Sequence, residues 1–108
     1  MLVELDIFSG RPNPRWELNA TQHRRLRTIH ERLPQIHDAP PEPPGLGYRG
    51  FCYTLDGASC RVFNGAVTGP GSALRDVDRE LEHLLLATIP DEYAALRQRV
   101  GQLLDPTA

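Results

Sequence analysis

Two tight-turn dipeptides stand eight residues apart, Asp56–Gly57 and Asn64–Gly65. Asp-Gly and Asn-Gly suit the two-residue hairpin turn, because both central positions need positive φ and these residues tolerate it best. Between and around them apolar and polar side chains alternate: Phe51, Tyr53 and Leu55 face one way, Cys52 and Thr54 the other. Period two is the pattern of a strand with one covered face. The stretch therefore predicts an antiparallel meander with strands near 50–55, 60–64 and 66–68, the last one short. "GPGS" at 69–72 breaks the sheet.

The N-terminus repeats the alternation. Val3, Leu5 and Ile7 oppose Glu4 and Asp6, which predicts a strand over 2–8. "SGRPNP" stops it, since Gly10 permits unusual dihedrals and Pro12 and Pro14 remove donors. Trp16 and Leu18 alternate briefly, and Asn19 or Thr21 is placed to cap a helix over about 20–33 with Leu26, Ile29 and Leu33 as its apolar stripe. Pro34 ends that helix. Residues 34–47 hold five Pro and read as an extended surface connection. No basic residue flanks the Pro run as in a proline-recognition ligand. A helix is expected to start between Ser72 and Asp78 and to run to about Ala87, with Leu74, Val77, Leu81, Leu84 and Leu85 on one face. Pro90 suits the first turn of a last helix carrying Tyr93, Leu96, Val100, Leu103 and Leu104. "DPTA" reads as a frayed tail. The expectation is α+β: one domain over 1–108, elements in the order β-α-β-β-β-α-α, with an antiparallel sheet of about four strands and the helices on one face.

Composition narrows function by exclusion. A formal net charge of -2 argues against a general nucleic-acid binder. All 12 basic side chains are Arg, so Schiff-base or nucleophilic lysine chemistry is excluded. The N-terminus has no basic segment leading an apolar run, and no apolar run approaches membrane-spanning length; the expectation is a soluble, cytoplasmic chain. Cys52 and Cys60 are too few for a disulfide scaffold or a structural zinc site and read as sheet thiols, although a cross-strand bridge is geometrically conceivable. His23, His30, His37 and His83 follow no metal-ligand spacing, and neither a metal nor a cofactor is expected. "GLGYRG" fits G-x-G-x-x-G in letters, but it precedes a strand instead of opening a helix, so the dinucleotide mechanism does not apply. Asp76 and Asp78 are explained as helix-start acids, and "HRRLR" at 23–27 as a solvated helix face. No Ser or Cys carries a nucleophile signature.

Two segments hold more Gly, Arg and aromatic residues than connections need, "FSGRPNPRW" (8–16) and "LGYRGF" (46–51). Neighbouring strands would bring both to one edge of the sheet. Arg11, Arg15 and Arg49 would then ring a concavity, Asn13 would add a polar contact, and Tyr48 and Trp16 would wall it. Arg forks take carboxylate or phosphate bidentately, and Gly lets backbone amides approach an anion. The competing explanation pairs Arg11 and Arg49 with Glu4, Asp6 or backbone carbonyls and puts Trp16 in the core. On the first reading the chain binds a small anionic ligand or a peptide without catalysis. The alternatives are a protein-interaction or accessory module, homodimeric or otherwise, and a small enzyme using the same loops.

With "VFNGAV" and the Leu-rich helix, these two motifs resemble small bacterial and fungal proteins of about this length. The resemblance spans Leu5 to about Leu86 and implies a stand-alone domain. It carries no activity with it.

Overall fold

The computed structural model describes residues 1–105; the end of the expected frayed tail, 106–108, lies outside them. Six strands form one antiparallel sheet in the order β2-β1-β3-β4-β5-β6. They are β1 (Leu2–Leu5), β2 (Arg15–Glu17), β3 (Phe51–Leu55), β4 (Ala58–Phe63), β5 (Ala66–Gly69) and β6 (Ser72–Arg75). The helices are α1 (Ala20–Arg32), α2 (Glu80–Ala87) and α3 (Ala94–Leu104).

The class and the antiparallel sheet match the expectation, and the strand count does not. Two short strands account for the difference. β2 folds back beside β1, pairing Trp16 with Val3. β6 pairs with β5 through the Pro70–Gly71 turn, where a break and a helix start were expected. Leu74 and Val77 do follow helical spacing, but Leu74 lies opposite Val67 in the sheet. The Pro-rich connection contributes here as well. The Ile36 amide donates to the Ala73 carbonyl and the Arg75 amide to the Pro34 carbonyl, which covers part of the edge that β6 would otherwise expose.

Alternation decides the two faces. Val3, Leu5, Trp16, Phe51, Tyr53, Cys60, Val62 and Val67 face inward, and Leu26, Ile29, Leu81, Leu85, Val100 and Leu104 from the helices complete the core. α1 begins on a capping box: Asn19 Oδ1 accepts from the Gln22 amide and Gln22 Oε1 from the Asn19 amide. In α3 the buried positions are Val100 and Leu104, whereas Leu103, expected in the stripe, is 54% exposed. Cys52 and Cys60 are free thiols on opposite faces, because Cys60 lies opposite Tyr53 while Cys52 lies opposite Arg61. That register excludes the conceivable bridge between them. No helix among the described residues is long and apolar enough to cross a membrane.

Candidate functional site

The register Leu5↔Phe51 brings the loop after β1 and the loop before β3 to the same end of the sheet. The Arg49 amide donates to the Asp6 carbonyl at 2.8 Å and the Asp6 amide to the Gly50 carbonyl at 2.9 Å. Around this junction the side chains converge on one carboxylate. Asp6 Oδ1 accepts from Arg49 Nε and Nη2 at 3.0 and 2.8 Å and from Asn13 Nδ2 at 3.2 Å. Asp6 Oδ2 accepts from Arg61 Nη1 at 2.7 Å. Arg49 also reaches the Phe8 and Gly45 carbonyls, so it clamps the two loops together. Burial alone would raise the Asp6 carboxyl, but the hydrogen bonds and charges of Arg49 and Arg61 outweigh it and hold Asp6 below the usual range.

Asn13 is a strut in this assembly. Its Oδ1 accepts from the Ile7 and Phe8 amides at 3.0 and 2.8 Å, and its Nδ2 donates to Glu4 Oε2 as well as to Asp6. The Ile7 and Phe8 donors have left the β ladder, and the Asn side chain takes the place of the missing strand partner. Arg11 does not meet Arg49. It lies exposed over the Phe8 ring, 3.7 Å from the centroid, and makes no ion pair among the described residues. Trp16 is core: its ring packs edge-on against Phe51, and its Nε1 donates to Thr88 Oγ1 at 2.9 Å. Of the sequence-derived set, Asn13 and Arg49 come together through Asp6, while Arg11, Trp16 and Tyr48 each go elsewhere.

Tyr48 faces the helix side and donates to Glu82 Oε2. Glu82 is fully buried and also accepts from Arg79 Nε and Nη2, at 3.0 and 3.2 Å, and from the Asn64 and Gly65 amides at 3.3 Å each. Burial, then the charge and hydrogen bond of Glu82, push the Tyr48 phenol far up, so it remains a donor. Next to it, Asp76 accepts from the Leu81 and Glu82 amides at the start of α2. Burial raises the Asp76 carboxyl more than those two amides lower it. Asp78 and Arg79 both have φ of 55°, the left-handed region that non-glycine residues avoid. That strained pair turns the chain so that Arg79 folds back on Glu82.

The uncovered face of the sheet holds a concavity of about 510 Å³ floored by Glu4, Cys52, Thr54, Ser59, Arg61 and Thr68, with Arg15 and Leu2 at its side. One cross-strand row explains it: Arg15, Glu4, Cys52, Arg61 and Thr68 are successive partners on five strands. Arg15 Nε bonds Glu4 Oε1 at 2.9 Å, and Arg61 Nη1 bonds Asp6 and the Arg49 carbonyl. The other nitrogens of these two guanidinium groups have no hydrogen-bond partner among the described residues. Cys52 sits beside Arg61, yet burial, opposed by that charge, pushes its thiol up, so it is a poor nucleophile. Among the described residues no three His, Cys, Asp or Glu side chains gather to hold a metal.

Arg61 is not singled out by the sequence, and Glu82, which beside Glu80 and His83 reads as part of a solvated helix face, is fully buried instead. The available signal for Arg61 was its place on the polar face of a strand, opposite Cys52. For Glu82 it was an acid next to Leu81 in a Leu-rich helix. Comparison with protein-family models, curated proteins and solved structures finds no match to this chain.

Proposed function

We propose that this chain is a non-enzymatic binding domain for a small anionic ligand, which it takes on the uncovered face of the sheet beside the two Arg/Gly-rich loops. The observation that carries the reading is the charge around the concavity. Among the described residues Arg15, Arg49 and Arg61 pair with two carboxylates, Glu4 and Asp6, which leaves one formal positive charge. Among the described residues Arg15 and Arg61 retain unpaired N–H donors, beside the hydroxyls of Thr54, Ser59 and Thr68. Guanidinium forks with neutral donors suit a carboxylate or phosphate. Arg49 and Asn13 serve the site indirectly: they fix Asp6, which orients Arg61.

The experiment is a thermal-shift and calorimetric titration with citrate, phosphate and a neutral polyol. The two anions are expected to stabilise the protein, the polyol to have no effect, and the anion response to shrink as ionic strength rises. Arg15→Gln removes an exposed guanidinium and is expected to weaken anion binding while preserving the fold. A wild-type protein indifferent to both anions, or an Arg15→Gln and Arg61→Gln pair that keeps the full response, overturns the reading.

A further inference from the structure

The two edges of the sheet are finished differently. The outer side of β6 carries the Pro34–Ile36 backbone, with Gln35 paired to Leu74. β2, at the other edge, has nothing paired to its outer side among the described residues. Its register with β1 fixes which backbone groups point outward. The Leu5 amide donates to the Pro14 carbonyl and the Leu18 amide to the Met1 carbonyl. Bonded and non-bonded pairs alternate along an antiparallel ladder, so Val3 and Trp16, midway between those two bonds, are a bonded pair. Arg15 and Glu17 are therefore the residues whose N–H and C=O point away from β1. None of those groups has a hydrogen-bond partner among the described residues.

An open row of this kind is a template for another strand, and charges on an edge ordinarily repel one. The charges on β2 do the reverse for a copy of the chain. The Arg15 and Glu17 side chains are 61% and 72% exposed, while Trp16 between them is core. Rotated about a two-fold axis at Trp16, an antiparallel copy sets Arg15 opposite the copy's Glu17, and Glu17 opposite the copy's Arg15. Both are outward-bonding positions, so each pair exchanges two backbone hydrogen bonds and also matches opposite charges. Sliding the copy to the next allowed register on either side sets Arg15 against Arg15 or Glu17 against Glu17. The charged groups have capacity left for this. Glu4 takes only Nε of Arg15, at 2.9 Å, and the Met1 ammonium takes only Oε2 of Glu17, at 3.2 Å. Both Nη atoms of Arg15 and Oε1 of Glu17 have no partner among the described residues.

We propose that β2 docks against β2 of a second copy of this chain, antiparallel about Trp16, so that the two sheets continue into one and their uncovered faces lie on the same side. Self-complementarity selects the occupant: the order of charges along β2 matches its own rotated image, in one register. β2 is three residues long, so the interface is small and the dimer is weak, populated at millimolar and dissociated at micromolar concentration. A guanidinium carries five N–H donors and Glu4 takes one of those of Arg15, so the pairing leaves donors facing the concavity. The dimer does not rest on the anion reading.

Sedimentation of the full chain over a concentration series, with no citrate or phosphate present, tests this. The wild type is expected to pass from monomer to dimer as concentration rises and to return towards monomer as salt is added. Arg15→Glu and Glu17→Arg each set like charges opposite one another, and each is expected to stay monomeric. Mixing these two variants restores opposite charges across the edge, so a dimer is expected from the mixture, and equally from the double variant that carries both substitutions. Amide exchange in the wild type gives a reading that needs no variant and decides the matter if a variant fails to fold. The Arg15 and Glu17 amides are expected to gain protection as concentration rises, while the Trp16 amide, already bonded to Val3, is unchanged. The proposal is overturned by a wild type that stays monomeric at millimolar concentration or by a dimer that survives either single substitution. It is also overturned by a mixture of folded variants that does not dimerise, or by a dimer that leaves the Arg15 and Glu17 amides unprotected.

Discussion

Tyr48 and Arg49 are neighbours in the chain and serve two carboxylates on opposite sides of the sheet. Arg49 goes to Asp6 at the open face; Tyr48 goes to Glu82 under the helices. The Asp6 side chain keeps 13% of its exposure, and its partners Arg49 and Arg61 keep 20% and 33%. Glu82 keeps none. The wetter cluster can trade a protein partner for water, and a second anion can approach its guanidinium groups. The dry cluster has no such freedom, and its five donors must stay in place. Both clusters hold loops together, but only in the wetter one does the central carboxylate itself keep contact with solvent.

Glu82→Ala tests the dry side and should have the largest effect. It leaves Arg79, Tyr48 and two amides without their acceptor, and a cost of about 3–5 kcal/mol in urea unfolding is expected. A loss below about 1 kcal/mol, the size of an ordinary exposed pair, would remove the distinction between the clusters.

Gly50 is the pivot between them. Its φ is +100°, and a Cβ there would collide with the Val62 carbonyl oxygen. Gly50→Ala is expected to cost about 3 kcal/mol and to disturb both clusters, visible as shifts of the Asp6 and Gly65 amides together. Shifts confined to one side would mean that the clusters move independently.

Asp6→Asn should cost about 2 kcal/mol, less than the Glu82 variant because water reaches Arg49 and Arg61. Its pH dependence sharpens the comparison. The folded-state pKa of Asp6 lies below the ordinary 3.8, so its contribution is complete above that value and is lost as pH falls through the folded pKa. Asp76 has the opposite sign: its raised carboxyl disfavours folding at neutral pH, and that penalty fades as pH falls through its folded pKa. Acid titration of wild type and Asp6→Asn should therefore show the variant losing less stability below pH 3.8. Equal slopes would dissociate Asp6 from the acid transition.

Arg11→Ala marks the low end. An exposed cation over Phe8 contributes about 0.5 kcal/mol, so a near-unchanged melting temperature is expected. A larger loss would mean that Arg11 has a partner in the loop pair after all.

Elements with local causes were legible from the sequence. The Asp56–Gly57 and Asn64–Gly65 turns have positive φ at all four residues, and the strands they join follow the expected alternation. The Asn19 cap and the Leu26 and Ile29 stripe of α1 are likewise where the pattern puts them. β2 and β6 were harder to read because three and four residues show too little periodicity, and Pro14 and Gly71 look like interruptions. β6 exists because Val67 and the Pro34–Ile36 backbone offer it partners on both sides. At the loops, the sequence marked Asn13 and Arg49 as unusual and left Arg49 two uses, a ligand or an acid such as Asp6; in the fold its guanidinium goes to Asp6 and to the Phe8 and Gly45 carbonyls.

By itself the sequence determined the class of fold, the hairpins, the helix start and the crowding of Gly, Arg and aromatic residues into two loops. These follow from φ preferences, period-two alternation and capping, which act between residues a few positions apart. The tertiary structure decided which guanidinium meets which carboxylate. Asp6 finds Arg49 43 positions away and Arg61 55 positions away. Charge attraction has no sequence period, and only the pairing of β1 with β3, and of β3 with β4, brings those groups within reach.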